Sequence, residues 1–322
     1  MESKLIHSAL FGIAVGDALG VPVEFRDRKY LNENPVRDML AYGTHNQPIG
    51  TWSDDSSLTF CLAETLADKY DLKKLANRFI NWYEHSYWTP LGEVFDVGVA
   101  TSKAIYRLVQ GVNPVMAGGE DESDNGNGSL MRILPLLFYI KDMEIEDRFR
   151  YISDVSSLTH RHIRSVIGCF IYLEFALQLL KGVDKFEAFL QTKDTVNNFL
   201  NNNPICSDNE INKYHRILMS PIGDYDIKPI YEYTEDEIAS SGYVVHSLEA
   251  ALWCIFKEDN FEKTVIRAVN LGSDTDTTAA IAGGLAGLLY GFETIPQRWI
   301  DQLARKDDIF DLCDKLEKKL QQ

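Results

Sequence analysis

The stretch "AAIAGGLAGLLYG", residues 279–291, packs four glycines and four alanines into thirteen positions of an otherwise apolar segment. Each glycine in a helix interior costs about 1 kcal/mol relative to alanine. A helix this rich in them needs a compensating reason, and close approach of a second backbone supplies one. A matching segment, "LFGIAVGDALG" at residues 10–20, stands at the other end of the chain. The two are predicted to cross near the centre of a helical bundle, which brings the chain ends together.

The rest of the chain fits that frame. In "DLKKLANRFINWYEH" (71–85) Asp71 can cap a helix whose Leu72, Leu75, Phe79 and Tyr83 fall near one face. Similar periodicity predicts helices over 55–69, 98–110, 129–140, 162–181, 184–200, 243–257, 261–270, 276–290 and 306–320, with loops near 26–50, 111–128 and 201–235. Alternating apolar and polar runs are scarce, so the expected class is all-α, as one domain spanning 1–322. The apolar run "VIGCFIYLEFALQLL" (166–180) is short for a bilayer and carries Glu174, so it reads as a core helix.

A net charge of −16 opposes binding to a nucleic-acid polymer or an anionic membrane surface. Five scattered cysteines, none in a C-x-x-C pair, argue against disulfides and zinc-thiolate sites and for a cytoplasmic location. The apolar N-terminal stretch is interrupted by Asp17 and shows no convincing cleavage site for a signal peptide.

Two acidic and hydroxyl-rich clusters precede apolar helices: "GTWSDDSSLTF" (50–60) and "NLGSDTDTTAAIAGG" (270–284). One such cluster is ordinary capping, in which Ser or Asp accepts a backbone N–H and first-turn acids complement the helix dipole. Two clusters holding Asp54, Asp55, Asp274 and Asp276 exceed what capping requires. If the helix starts meet, the like charges must be protonated or neutralised, and a divalent cation does this economically. With no Cys or His in either cluster, the donors suit Mg²⁺, Mn²⁺ or Ca²⁺. A D-x-D-x-T phosphotransferase motif (Asp274, Asp276, Thr278) would need a preceding strand, whereas "TVIRAVNLG" reads as helical; a D-D-x-x-D motif fails because residue 58 is Leu.

Six blocks in order, "GIAVGDALGVPVEF" (12–25), "GTWSDDSSLT" (50–59), "DNGNGSLMRILPL" (124–136), "THRHIRSVIG" (159–168), "SGYVVHSLEAALW" (241–253) and "NLGSDTDTTAAIAGGLAGLLYG" (270–291), resemble the ADP-ribosylglycohydrolase family. The resemblance covers most of residues 5–300. It implies a compact orthogonal all-α bundle whose cleft holds two Mg²⁺ ions, with Mn²⁺ as an alternative, and which cleaves the bond between ADP-ribose C1″ and its acceptor. It implies metal ligands at Ser53, Asp54, Asp55, Asp274, Asp276 and Thr277. It further implies substrate contacts at Asp124, Asn125, Gly126, Asn127, Gly128 and Ser129, at His160, and at Tyr243. Glu24 matches a glutamate that lies near the metals. Ser56 stands where the family often has threonine and keeps the hydroxyl, while 201–235 matches no block and is a candidate for acceptor specificity.

Cleavage at a ribose passes through an oxocarbenium-like state, for which an acid among Glu24, Asp55 and Asp276 would orient or deprotonate the attacking water. The resemblance thus implies a hydrolase acting on an ADP-ribosylated protein side chain, arginine foremost, or on a small ADP-ribose conjugate. A non-catalytic ADP-ribose binder or structural protein of the same fold is the alternative; the intact ligand positions favour the enzyme. The locally bland reading of "DNGNGS" is a turn, and of Tyr243 a core residue. The acceptor and the oligomeric state stay open at this level.

Overall fold

A computed structural model describes residues 4–219 and 228–321. Its first long helix, Leu5–Gly20, lies against the glycine-rich helix Thr275–Tyr290. A Cβ on Gly12 would meet the Gly283 carbonyl oxygen at 2.3 Å, on Gly16 the Ala279 oxygen at 2.1 Å, and on Gly20 the Asp276 Cα at 2.3 Å. On the opposite helix a Cβ on Gly287 would meet the Ser8 oxygen at 2.0 Å. Partners descend in number on one helix as they rise on the other. The helices are therefore antiparallel and touch along four turns, a longer seam than the single central crossing expected from sequence. The antiparallel sense sets the C-terminal end of Leu5–Gly20 beside the start of Thr275–Tyr290, where the second acidic cluster begins.

Around this seam the chain is all-α. Among the described residues there are no strands, only isolated bridges such as Gly126 with Tyr243 and Gly119 with His160. The C-terminal helix Lys306–Leu320 packs on Asp54–Asp68 and on Leu5–Gly20, so the chain ends do meet. One continuous apolar core runs from Ile6 to Leu316 and takes in Trp52, Trp82 and Trp299. The run at 166–180 belongs to Ile163–Leu180, which is almost wholly buried. Its Glu174 is tied to Arg148 by two bonds of 2.7 Å, so the buried carboxylate is paired. By length and composition this helix and Leu5–Val23 are apolar enough to cross a membrane, but both are covered by the protein itself. The five cysteines are free, and four are buried.

Several sequence-based expectations need correction. In Leu72–His85 the buried face is Leu75, Ala76, Phe79 and Trp82, whereas Tyr83 is exposed; Asp71 caps as expected, accepting from the Lys73 and Lys74 N–H groups. The helix expected over 129–140 is confined to Leu136–Ile140. Residues 129–132 form turns whose apolar side chains are as buried as a helix would make them, and Pro135 biases the preceding residue away from helix. Helices Arg28–Glu33, Ile145–Ser157 and Gln297–Gln302 were not anticipated. The 201–235 loop carries the short helices Asp208–Asn212 and His215–Leu218, and its segment 220–227 lies outside the described residues.

Candidate functional site

The acidic clusters sit at the N-termini of Asp54–Asp68 and Thr275–Tyr290, and the first question is which groups do the capping. Ser53 accepts the Asp55 N–H through its Oγ at 3.2 Å. Asp17, from the seam helix, accepts the Ser53 N–H at 2.9 Å on Oδ1, and the Ser56 N–H and hydroxyl at 3.0 and 2.6 Å on Oδ2. These two residues satisfy the helix start, leaving Asp54 and Asp55 free for another role. Asp274 is the N-cap of the second helix by position but makes no cap bond with its side chain. It instead accepts from the Asn127 amide at 2.7 Å.

The free carboxylates converge. Asp17, Asp55 and Asp276 each bring an oxygen within 4.8 Å of the others, and so do Glu24, Asp274 and Asp276, so the two groups share Asp276. Thr277 donates its hydroxyl to Asp55 at 3.3 Å, linking the helices directly. Ser53 Oγ donates to the same Asp55 oxygen at 3.0 Å. The remaining oxygens, Asp55 Oδ1 and Asp276 Oδ2, are buried with no hydrogen-bond partner. Among the described residues, neither lysine nor arginine lines the adjoining cleft.

Burial is the largest influence pushing Asp54, Asp55 and Asp276 well above the carboxylate range, reinforced by Asp96, Asp17 and Glu24 respectively as the leading neighbouring charges. Burial also raises Asp274, against the Asn127 bond. Asp17 rises to about 6 from burial, opposed by its bonds to Ser56 and Ser53. Buried acids without counter-charges, with two oxygens unpartnered, fit hard divalent cations: the donors are all oxygens, and the shared carboxylate allows two ions side by side. Asp17 itself has both oxygens taken by the cap, which suits it to holding the helix start.

Glu24 follows the first helix and is buried, with its carboxylate bonded to His45 Nε2. Burial raises it to about 7, against the His45 bond. Thr44 donates to the Glu24 carbonyl at 2.7 Å, so the turn Gly43–His45 holds both ends of this residue. Phe25, beside it, is 67% exposed at φ +64°, and Asp96, at φ +53°, faces the same cleft.

The cleft has a volume of about 410 Å³ and is lined by Glu24, Asp54, Asp274 and Thr277 together with Gly126, Asn127, Gly128 and His160. A Cβ at Gly128 would lie 2.6 Å from His160 Cε1, so the missing side chain makes room for the ring. Asn127 bonds Asp274 and, at 2.9 Å, Ser247.

The other expected contact residues, Asp124, Asn125, Ser129 and Tyr243, do not line the cleft. Asp124 accepts the Asp121 N–H at 3.1 Å in a capping box. Asn125 is buried, donating to the Glu122 carbonyl and accepting from Ser165. Ser129 is fully buried, within 3.5 Å of Cys169 Sγ and accepting from Ser156 at 2.9 Å, and it starts no helix. Tyr243 packs edge-on to His246 and 5.8 Å from the Arg164 guanidinium, while its neighbour Gly242 lines the cleft. Ser273 is exposed. His162 caps Ile163–Leu180, accepting from the Arg164 N–H at 3.1 Å.

Asp17, His45 and Asp96 were not singled out from sequence. A signal existed for Asp17, the one acid in an apolar helix. His45 and Asp96 lie in irregular loops, where no periodicity marks them.

Comparison with known proteins gives the family. The family profile described as ADP-ribosylglycohydrolase matches residues 2–322. An ADP-ribosylarginine hydrolase, Tri1, of Pseudomonas putida is 33% identical over 313 residues, covering 96% of this chain and 76% of the relative. The ADP-ribosyl-[dinitrogen reductase] glycohydrolase of Rhodospirillum rubrum is 27% identical over 306 residues, covering 92% and 90%. A solved ADP-ribosylglycohydrolase-related protein complex superimposes with a TM-score of 0.79 at 28% identity, covering 99% of this chain and all of that one. The chain belongs to the ADP-ribosylglycohydrolase family and is an ADP-ribosyl-acceptor hydrolase.

Proposed function

We propose that this family member removes ADP-ribose from arginine side chains of modified proteins in the cytoplasm, by a reaction that depends on two Mg²⁺ ions. The observation that carries the metal dependence is the pair of buried, unpartnered oxygens, Asp55 Oδ1 and Asp276 Oδ2, inside two acid groups that share Asp276. Asp54, Asp55, Asp274, Asp276, Thr277 and Ser53 would hold the ions, which supply Lewis acidity and an anchor for the ribose hydroxyls. Ser53 has the weakest claim, because its hydroxyl already serves Asp55 and the helix cap.

The arginine acceptor rests on identity to the Pseudomonas putida arginine hydrolase and on the chemistry of the cleft mouth. Phe25 is exposed next to Glu24 and Asp96, and an aromatic face among carboxylates suits a guanidinium. Glu24, held near neutral pH, is poised to take a proton from the attacking water and return it to the departing nitrogen. Asn127, Gly126, Gly128 and His160, which line the same cleft, would bind the ADP-ribose moiety.

The test offers the purified protein ADP-ribosylated arginine, ADP-ribosylated serine and O-acetyl-ADP-ribose in parallel, with Mg²⁺, with Mn²⁺ and with chelator. Release from arginine, lost on chelation and restored by metal, is the expected result. Release only from serine or the acetyl ester reassigns the acceptor. No release, with ADP-ribose still binding, makes the protein a binder.

A further inference from the structure

We propose that buried Arg132 and Thr159 act together as positioning residues that fix the tautomer of His160, so that the ring presents a Nε2–H donor to the cleft. The fixed tautomer stands on geometry alone; only the identity of the group that accepts from Nε2 rests on the reading of the cleft as an ADP-ribose site.

His160 Nδ1 lies 2.9 Å from the Thr159 hydroxyl, and that hydroxyl lies 2.7 Å from Arg132 Nη2. All three residues are buried, Arg132 and Thr159 completely. A guanidinium only donates, so the Thr159 oxygen accepts from Arg132. The hydroxyl has one proton of its own, and His160 Nδ1 is the other polar atom in its reach. The proton goes to Nδ1, which is therefore the unprotonated nitrogen, and the ring proton resides on Nε2. In the opposite tautomer Nδ1–H would point at Oγ1, and the Thr159 proton would be stranded in a fully buried position. Leaving a buried donor unsatisfied biases the two tautomers by about tenfold or more.

The arrangement also explains Arg132. Its guanidinium stacks 4.7 Å from the Phe79 ring, bonds the Val155 carbonyl at 3.2 Å, and leaves Nε and Nη1 without partners. Among the described residues no carboxylate pairs with it, an unusual state for a buried arginine. A carboxylate in its place could not force the Thr159 proton toward the ring, because it would take that proton itself. Burial and the nearby Arg132 charge both hold His160 far below its usual range, at about 3, so the ring stays neutral and its tautomer decides what it offers.

At the other edge Nε2 faces the glycine loop: a Cβ on Gly126 or on Gly128 would sit 3.3 Å from it. The donor thus emerges where side chains are missing, aimed at an oxygen of an anionic or hydroxyl-bearing ligand. The other tautomer would present a lone pair to the same oxygen.

Nitrogen-15 NMR of the full chain labelled at its histidines reads the tautomer directly, with the His160 signals assigned by comparison with Thr159→Ser and Thr159→Val. The expected wild-type spectrum has a protonated Nε2 and an unprotonated Nδ1, unchanged between pH 5.5 and 8. Thr159→Val, which removes the hydroxyl at nearly constant volume, should mix the tautomers. It should raise KM for the ADP-ribosylated substrate by about tenfold while lowering kcat far less. Thr159→Ser should restore both. A wild-type Nδ1–H tautomer overturns the proposal, as does a Thr159→Val protein with unchanged tautomer. Absence of hydrolysis from every conjugate would sink the proposed function instead, and the spectrum would still decide this one.

Discussion

The acid cluster makes stability depend on pH in a direction opposite to most proteins, and metal should reverse it. Asp17 is raised from 3.8 to about 6 by burial. The folded state therefore holds its proton more tightly than the unfolded chain, and stability is lost as pH rises from about 4 to about 6. A shift of about two units corresponds to about 3 kcal/mol, or roughly 4 °C in melting temperature for a chain of this size. Asp54, Asp55, Asp274 and Asp276 are displaced in the same direction and add to the loss. Cations at the proposed site would bind the ionised carboxylates and release protons, so Mg²⁺ should compete poorly at low pH and well above neutrality.

The experiment is a set of melting curves by circular dichroism from pH 4.5 to 8, in chelator and in Mg²⁺, with NaCl at matched ionic strength as control. In chelator the melting temperature should fall as pH rises. The increment between Mg²⁺ and chelator should grow over the same interval by several degrees. General repulsion from the net charge of −16 responds to NaCl as well, so the specific part is what NaCl fails to reproduce. A Mg²⁺ increment that is flat or shrinks with pH, or that NaCl matches, would refute the reasoning.

Further changes probe the parts separately. Asp55→Asn and Asp276→Asn each remove a carboxylate from the proposed metal site, and calorimetric titration should show Mg²⁺ affinity reduced by about tenfold or more, with hydrolysis falling in parallel. Gly16→Ala places a Cβ 2.1 Å from the Ala279 oxygen, so the seam must open by more than an ångström. The overpacking cost of about 1–3 kcal/mol exceeds the roughly 1 kcal/mol gained in helix propensity, and urea melts should show net destabilisation with weakened Mg²⁺ binding. His45→Ala removes the bond that lowers Glu24, so the acidic limb of the kcat/KM profile should move to higher pH. Arg148→Met strands the buried Glu174 carboxylate and should cost about 3–5 kcal/mol in denaturant melts, whereas Arg148→Met with Glu174→Leu should recover most of it.

The parts of this structure legible in the sequence are those in which a residue type violates a local preference. Gly12, Gly16, Gly283 and Gly287 are poor helix residues placed in helices, and that cost announces the seam. Asp54, Asp55, Asp274 and Asp276 exceed the needs of capping, and the structure assigns most of the first cap to Ser53 and Asp17. Where residues obey local preferences in an unexpected setting, the sequence misleads. "SLMRIL" at 129–134 has the apolar content of a core helix, yet it folds as buried turns, because burial selects for apolarity without regard to backbone conformation. Asp124 and Asn125 sit in a motif matched to ligand contact, but their side chains satisfy the loop's own backbone, so that Gly126, Asn127 and Gly128 reach the cleft.

The seam explains why the acidic clusters can lie more than two hundred residues apart and still be held rigidly. Antiparallel contact fixes the start of Thr275–Tyr290 against the end of Leu5–Gly20, and Asp17 on the latter bonds directly to the start of Asp54–Asp68. One helix thus locates both helix N-termini, by backbone contact on one side and by a carboxylate cap on the other. Those N-termini carry partial positive charge, which offsets part of the repulsion among the acids before any cation arrives. The protein can therefore fold with its acids already gathered, and binding of the proposed cations would add stability to a site that needs little rearrangement to receive them.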